Sequence, residues 1–205
     1  MVKKPNKEKF KYVIGIDEVG RGPLAGPVTV CAFAIPVRYE RELLLVGAKD
    51  SKRLSAQKRE MIAAKLLALK RQGKCFYQIA SSSSYVIDRK GITHAVSIAL
   101  ASALKKLGFH PKDSDVYLDG SLYAPESYFR QRTVIGGDGK IHVISCASIL
   151  AKVHRDALMD KMDLAYPHYG FLDNKGYGTR DHYRAIKSYG ITSIHRLSFL
   201  RSILE

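Results

Sequence analysis

The sequence predicts an α/β fold: a mixed β-sheet covered by α-helices, with a helical C-terminal part. Three observations predict it. Two apolar, β-branched runs flank a glycine- and proline-rich turn near the start; later strand-like runs alternate with segments of helical period; and residues 165–205 are rich in Tyr, His and basic side chains without strand patterning. Strands that meet first as a hairpin and then alternate with helices give a sheet holding antiparallel and parallel pairs.

In chain order, residues 12–16 read as a buried first strand and 28–35 as a second, forming the hairpin. Ser55 is placed to cap a helix from Ala56 to about Lys70 with Ile62, Leu66 and Leu69 inward, and Gly73 ends it before a strand at 75–79. From Ile92, the apolar positions Ala95, Val96, Ala99, Ala103 and Leu104 recur at helical spacing as far as Gly108. A short strand at 116–118 then ends at Asp119, which puts a carboxylate at a strand's C-terminal end. The turn Gly136-Gly137-Asp138-Gly139 leads into a strand at 141–144 and a helix from about Ser145 to Met162. No repeat or linker divides the chain, so residues 1–205 are expected to form one domain, with about 165–205 as a helical substrate-binding extension.

Bulk properties narrow the function classes. With 205 residues, 46% of them hydrophobic, the chain can bury one sizeable core. No apolar run approaches the roughly 20 residues of a bilayer span, and the charged start lacks a signal-peptide core, so a cytoplasmic protein with no membrane partner is expected, as a monomer. Cys31, Cys75 and Cys146 are widely spaced in apolar runs and read as small buried hydrophobes, which argues against a zinc site. The net charge of +15, from 34 Lys and Arg against 19 Asp and Glu, favours polyanions, nucleic acid first among them.

Chemistry concentrates in residues 15–27, where Asp17 and Glu18 adjoin a buried strand. Acids at the end of a core strand need something to offset their desolvation, and bound cations do this. Successive strand residues point to opposite faces, so both acids reach one ion only from a frayed strand end. Gly20, Gly22 and Gly26 give the following backbone freedom to approach a ligand. Gly20-Arg21-Gly22 is not a dinucleotide fingerprint: Gly26 comes one residue late, Pro23 and Pro27 crowd the turn, and a strand rather than a helix follows. No P-loop, G-x-S-x-G elbow or C-x-x-C is present. In the helix after Ser145, Cys146, Ile149, Leu150, Val153 and Ala157 share a face flanked by Asp156, Asp160 and Asp163; helical period alone does not choose among these acids.

The chain closely resembles bacterial ribonuclease HII, of the ribonuclease H-like fold. The resemblance rests on residues 15–28, Asp50-Ser51-Lys52-Arg53-Leu54-Ser55, Leu118-Asp119-Gly120, and residues 147–156, 166–171, 175–179 and 194–199. It implies that Asp17, Glu18, Asp119 and Asp156 are four catalytic carboxylates converging on two Mn²⁺ or Mg²⁺ ions, hard cations that take oxygen ligands. Paired ions would activate water and stabilise the leaving 3′ oxygen, giving 5′-phosphate and 3′-hydroxyl ends. The implied substrates are RNA/DNA hybrids and DNA duplexes containing ribonucleotides. By the same resemblance Gly20, Arg21 and Gly22 read the ribose 2′-hydroxyl through backbone groups, Tyr177 packs beside them on a deoxyribose, and Lys52 holds a phosphate. One departure is Gly136 where the family commonly has Lys in Lys-Gly-Asp. Ribonuclease HIII differs in an added N-terminal domain and in a Glu as the last of its catalytic carboxylates, where the resemblance gives Asp156 here, and after Phe199 no obvious extension for docking a replication clamp is expected. A non-catalytic hybrid-binding protein is the rival from another class, but carboxylates repel phosphate and give a pure binder nothing. Another nuclease of the fold, such as a junction resolvase, is the rival among enzymes.

Overall fold

A computed structural model describes residues 10–48 and 54–204. Its strands are β1 (Tyr12–Val19), β2 (Val28–Pro36), β3 (Phe76–Ser82), β4 (Ser114–Asp119) and β5 (Gln131–Val134). They form a sheet in the order β3-β2-β1-β4-β5. Strands β1, β2 and β3 pair antiparallel, whereas β4 runs parallel to β1 and β5 parallel to β4. The predicted mixed sheet and opening hairpin are both present.

Side chains alternate across the sheet with period two. Ile14, Ile16, Val28, Val30, Ala32 and Ala34 face one core with the helix α4 (Ile92–Leu107), through Ala95, Val96, Ala99 and Leu100. On the other face Val13, Cys31, Phe33 and Ile35 pack on α2 (Ala56–Arg71) and α5 (His142–Ala165). Short helices α1 (Glu42–Val46) and α3 (Ser84–Lys90) flank these layers. Ser55 caps α2 as predicted, its side chain accepting from Lys58 N at 3.3 Å. All three cysteines are free and buried, matching their expected role. A third, smaller cluster joins Leu24 and Ala25 to Met159 of α5 and to α6 (Phe171–Asn174), α7 (Arg180–Tyr189) and α8 (Leu197–Leu204).

Two local expectations are corrected. Residues 141–144, expected as a strand, contain the N-cap and first turn of α5, which begins at His142. Their β-branched run is satisfied as helix because Gly15 lets the backbone of Val143 lie directly on β1; a Cβ at Gly15 would stand 2.1 Å from the Val143 carbonyl carbon. The edge strand β5 was not foreseen, since Gln131, Arg132 and Thr133 carry no apolar alternation and an exposed edge needs none. Among the described residues, no helix is long and apolar enough to cross a membrane.

Candidate active site

The pairing of β1 with β4 ends at Ile16 opposite Leu118. The next residue on each strand is an aspartate, so two carboxylates 102 positions apart, Asp17 and Asp119, become neighbours at the carboxyl end of a parallel pair. Such ends are where open α/β sheets bind ligands. β1 continues regularly to Val19 because its other edge still pairs with β2, Asp17 opposite Cys31 and Glu18 opposite Val30. The expected frayed end is therefore absent on the β2 side; the opening lies toward β4.

A cavity of about 420 Å³ sits at this opening, lined by Asp17, Glu18, Val19, Gly20, Arg21, Gly22, Arg59, Asp119, Ser148, Lys152 and Tyr177. Asp17 is 4% exposed. Its Oδ1 accepts from Glu18 N at 2.8 Å, and Ser148 on α5 donates to its carboxylate. Burial pushes the Asp17 pKa up to about 8; the Ser148 hydrogen bond opposes this, and the charges of Glu18 and Asp119 add to it. Burial also raises the Glu18 pKa against the pull of Arg21, whose guanidinium lies 3.4 Å from Oε1. The other oxygen, Glu18 Oε2, is buried without a hydrogen-bond partner among the described residues. Asp119 Oδ1 accepts from Gly137 N at 2.6 Å.

The sequence-predicted residues Asp17, Glu18, Asp119, Gly20, Arg21, Gly22 and Tyr177 thus meet in one cavity. Tyr177 stands beside the glycine loop, a Cβ at Gly22 lying 4.0 Å from its Cε1. Lys52 lies outside the described residues. Asp156 does not line this cavity. It is two helical turns beyond Ser148, about 12 Å along the axis, in a smaller adjoining depression with Arg59, Asp160 and Lys175, and its Oδ1 is 2.7 Å from Lys152 Nζ. Of the four acids expected to converge, Asp17, Glu18 and Asp119 line this cavity and Asp156 does not. Even these three only line the cavity: among the described residues no group of three or more His, Cys, Asp or Glu is already arranged to hold a metal ion. The acids nevertheless fit a hard divalent cation by their oxygen-only chemistry, and Glu18 Oε2 is a buried acceptor without a hydrogen bond among the described residues.

Sequence reasoning missed four buried polar residues that shape the site. Arg155 and Arg196 are fully buried, and each spends its donors on three backbone carbonyls. His182 and His195 are buried together, Nε2 to Nε2 at 3.1 Å. Their sequence signal is weak because Arg and His ordinarily read as solvated surface. Asp138 was read as part of a turn matching the family's Lys-Gly-Asp and given no role, yet it is 4% exposed and directly follows the Gly137 that binds Asp119.

Comparison with known proteins identifies the family and the fold. The ribonuclease HII family model matches residues 14–202. A ribonuclease HII of Caldicellulosiruptor bescii is 40% identical over 198 residues, covering 97% of this chain and 91% of that protein. One from Prochlorococcus marinus strain MIT 9312 is 42% identical over 187 residues, covering 91% and 88%. Among solved structures, the ribonuclease H2 of Pyrococcus horikoshii superposes with a TM-score of 0.75 at 25% identity, covering 94% of this chain and 96% of that one.

Proposed function

Because the chain belongs to the ribonuclease HII family, we propose that it is an endonuclease that cuts the RNA strand of RNA/DNA hybrids and incises DNA duplexes at embedded ribonucleotides. The observation that carries this reading is the meeting of Asp17, Glu18 and Asp119 with the Gly20-Arg21-Gly22 loop and Tyr177 in one cavity. A pure hybrid-binding protein would gain nothing from acids beneath a basic surface.

Asp17, Glu18 and Asp119 would hold divalent cations, Mn²⁺ or Mg²⁺, with Glu18 Oε2 as an available ligand atom. When bound, such ions supply an activated water and neutralise charge on the leaving oxygen, giving 5′-phosphate and 3′-hydroxyl products. Ser148 orients Asp17, and Gly137 N orients Asp119. Asp138 would complete the acidic set: it is 4% exposed and directly follows the Gly137 whose N–H holds Asp119, whereas Asp156 lies in the adjoining depression. Asp156 acts instead through Lys152, which it holds at the cavity rim toward substrate phosphate. The glycine loop and Tyr177 would read the ribose and its neighbouring deoxyribose. Lys52 is retained as a phosphate-binding residue, and a monomeric cytoplasmic enzyme is the simplest form consistent with these roles.

The test is cleavage of a DNA duplex carrying one ribonucleotide, by the wild type and by Asp119→Asn in Mn²⁺ or Mg²⁺. A loss of at least about a thousandfold is expected, several kcal/mol of transition-state stabilisation. An unchanged rate rejects the mechanism, and preferential cutting of an all-DNA junction assigns the site to a resolvase.

A further inference from the structure

We infer that Arg196 is a positioning residue that sets ribonucleotide selectivity by turning two peptide N–H groups of the glycine loop toward the substrate. The inference rests on the reading that this loop meets the sugar. Arg196 is fully buried and forms no ion pair among the described residues. Its guanidinium donates from Nη2 to Gly20 O at 2.6 Å, from Nη1 to Arg21 O at 2.9 Å and from Nε to Gly26 O at 3.0 Å.

Peptide groups are planar and trans, so the N–H of each unit points opposite to its carbonyl. Fixing the carbonyls of Gly20 and Arg21 on a buried cation therefore directs the N–H groups of Arg21 and Gly22 the other way. Arg21 and Gly22 both line the cavity. Among the described residues neither N–H donates to a backbone or side-chain acceptor. The charge on Arg196 also polarises both peptide units, making their N–H groups stronger donors. The result is a fixed pair of donors, spaced by one residue, suited to an oxygen on the sugar edge that a deoxyribose lacks. The loop cannot readily swing away. Gly20 has φ +88° and a Cβ there would meet Arg155 Nε at 2.3 Å, so the backbone is held from both sides. Arg196 itself is tied to the loop through its own N–H, which donates to Leu24 O at 2.7 Å.

Binding is measured in Ca²⁺ for two otherwise identical duplexes, one all DNA and one with a single ribonucleotide, using the wild type, Arg196→Lys, Arg196→Met and Leu100→Ala. Leu100 is buried in the core between the sheet and α4 and does not line the cavity, so its truncation reports destabilisation alone. The wild type is expected to prefer the ribonucleotide duplex. Both Arg196 variants should narrow that preference by about tenfold, the worth of a directed hydrogen bond, with all-DNA affinity unchanged, while Leu100→Ala keeps the wild-type ratio. Folded Arg196 variants that keep the ratio overturn the inference alone; a wild type without preference removes the underlying ribonucleotide reading as well. Should the variants not fold, ¹H–¹⁵N spectra of the wild type decide. The Arg21 and Gly22 amides should shift on adding the ribonucleotide duplex and not the all-DNA one, and an equal response to both overturns the inference.

Discussion

Under the proposed function Asp17 would be subject to two opposed demands, since burial favours its neutral form while cation binding would need its charge. With its pKa near 8 against 3.8 in an unfolded chain, the metal-free folded protein holds a proton that the unfolded chain releases. Asp17 therefore favours folding below about pH 4, and this is lost as pH rises through 8, a cost of roughly 2–4 kcal/mol at neutral pH. Replacing it by Asn should raise the melting temperature of the metal-free protein at pH 7.5 while abolishing stabilisation by Mn²⁺. Calorimetry of the wild type should show proton release on Mn²⁺ binding and an affinity that rises between pH 6 and 8; an affinity independent of pH would contradict this account of Asp17. At this scale the sequence was informative where acids adjoin apolar strands, as at Asp17 and Asp119. It was uninformative on α5, where three acids flank one stripe and only the approach of a neighbouring segment distinguishes them. Asp156→Asn should accordingly slow cleavage by about tenfold or less, through Lys152, and Asp138→Asn by at least about a hundredfold.

The elements bring these side chains together through a few close contacts. Gly15 lets α5 cross β1 at backbone distance, and that crossing carries Ser148 to Asp17. Gly15→Ala should cost about 3 kcal/mol or more, read as a fall in urea midpoint, because a Cβ would overlap helix backbone that has no side chain to yield. The buried histidine pair ties α7 to the segment that leads into α8, beside Tyr177. His182 Nδ1 faces Tyr177 O at 2.8 Å and must donate, whereas His195 Nδ1 accepts from Thr192 N at 3.0 Å, so a single proton, on His195, bridges the two Nε2 atoms. That arrangement requires both rings neutral. Burial, aided by the neighbouring ring, lowers the His195 pKa to about 4 from 6.5. Between these values the unfolded chain binds the extra proton, so this contribution is complete above pH 6.5 and falls by about 2 kcal/mol at pH 5. A His195→Asn variant should show a correspondingly flatter stability profile from pH 7 to 5; a profile as steep as the wild type would refute the assignment. The hairpin, α2, α4 and β4 were legible because period and caps agree. The start of α5 and strand β5 were not, since one is decided by docking on Gly15 and the other by an edge pairing that leaves no apolar pattern.

At the scale of the whole molecule, a chain of net charge +15 carries three acids in its candidate site. Under the proposed function, basic side chains would attract a nucleic-acid backbone that the acids would repel unless cations intervened, which would couple substrate binding to metal loading. Arg59, at the boundary between the central cavity and the Asp156 depression, is suited to one phosphate. Arg59→Ala should weaken hybrid and ribonucleotide duplexes alike and lower the slope of log K against log salt by about one. The account depends most on the open end between β1 and β4 being a cation site, and crystals soaked in Mn²⁺ test this most directly. Anomalous density is predicted between Asp17, Glu18 and Asp119, with Asp138 rather than Asp156 nearest as a fourth acid. Mn²⁺ bound elsewhere, with those three carboxylates left unligated at saturating concentration, would contradict it.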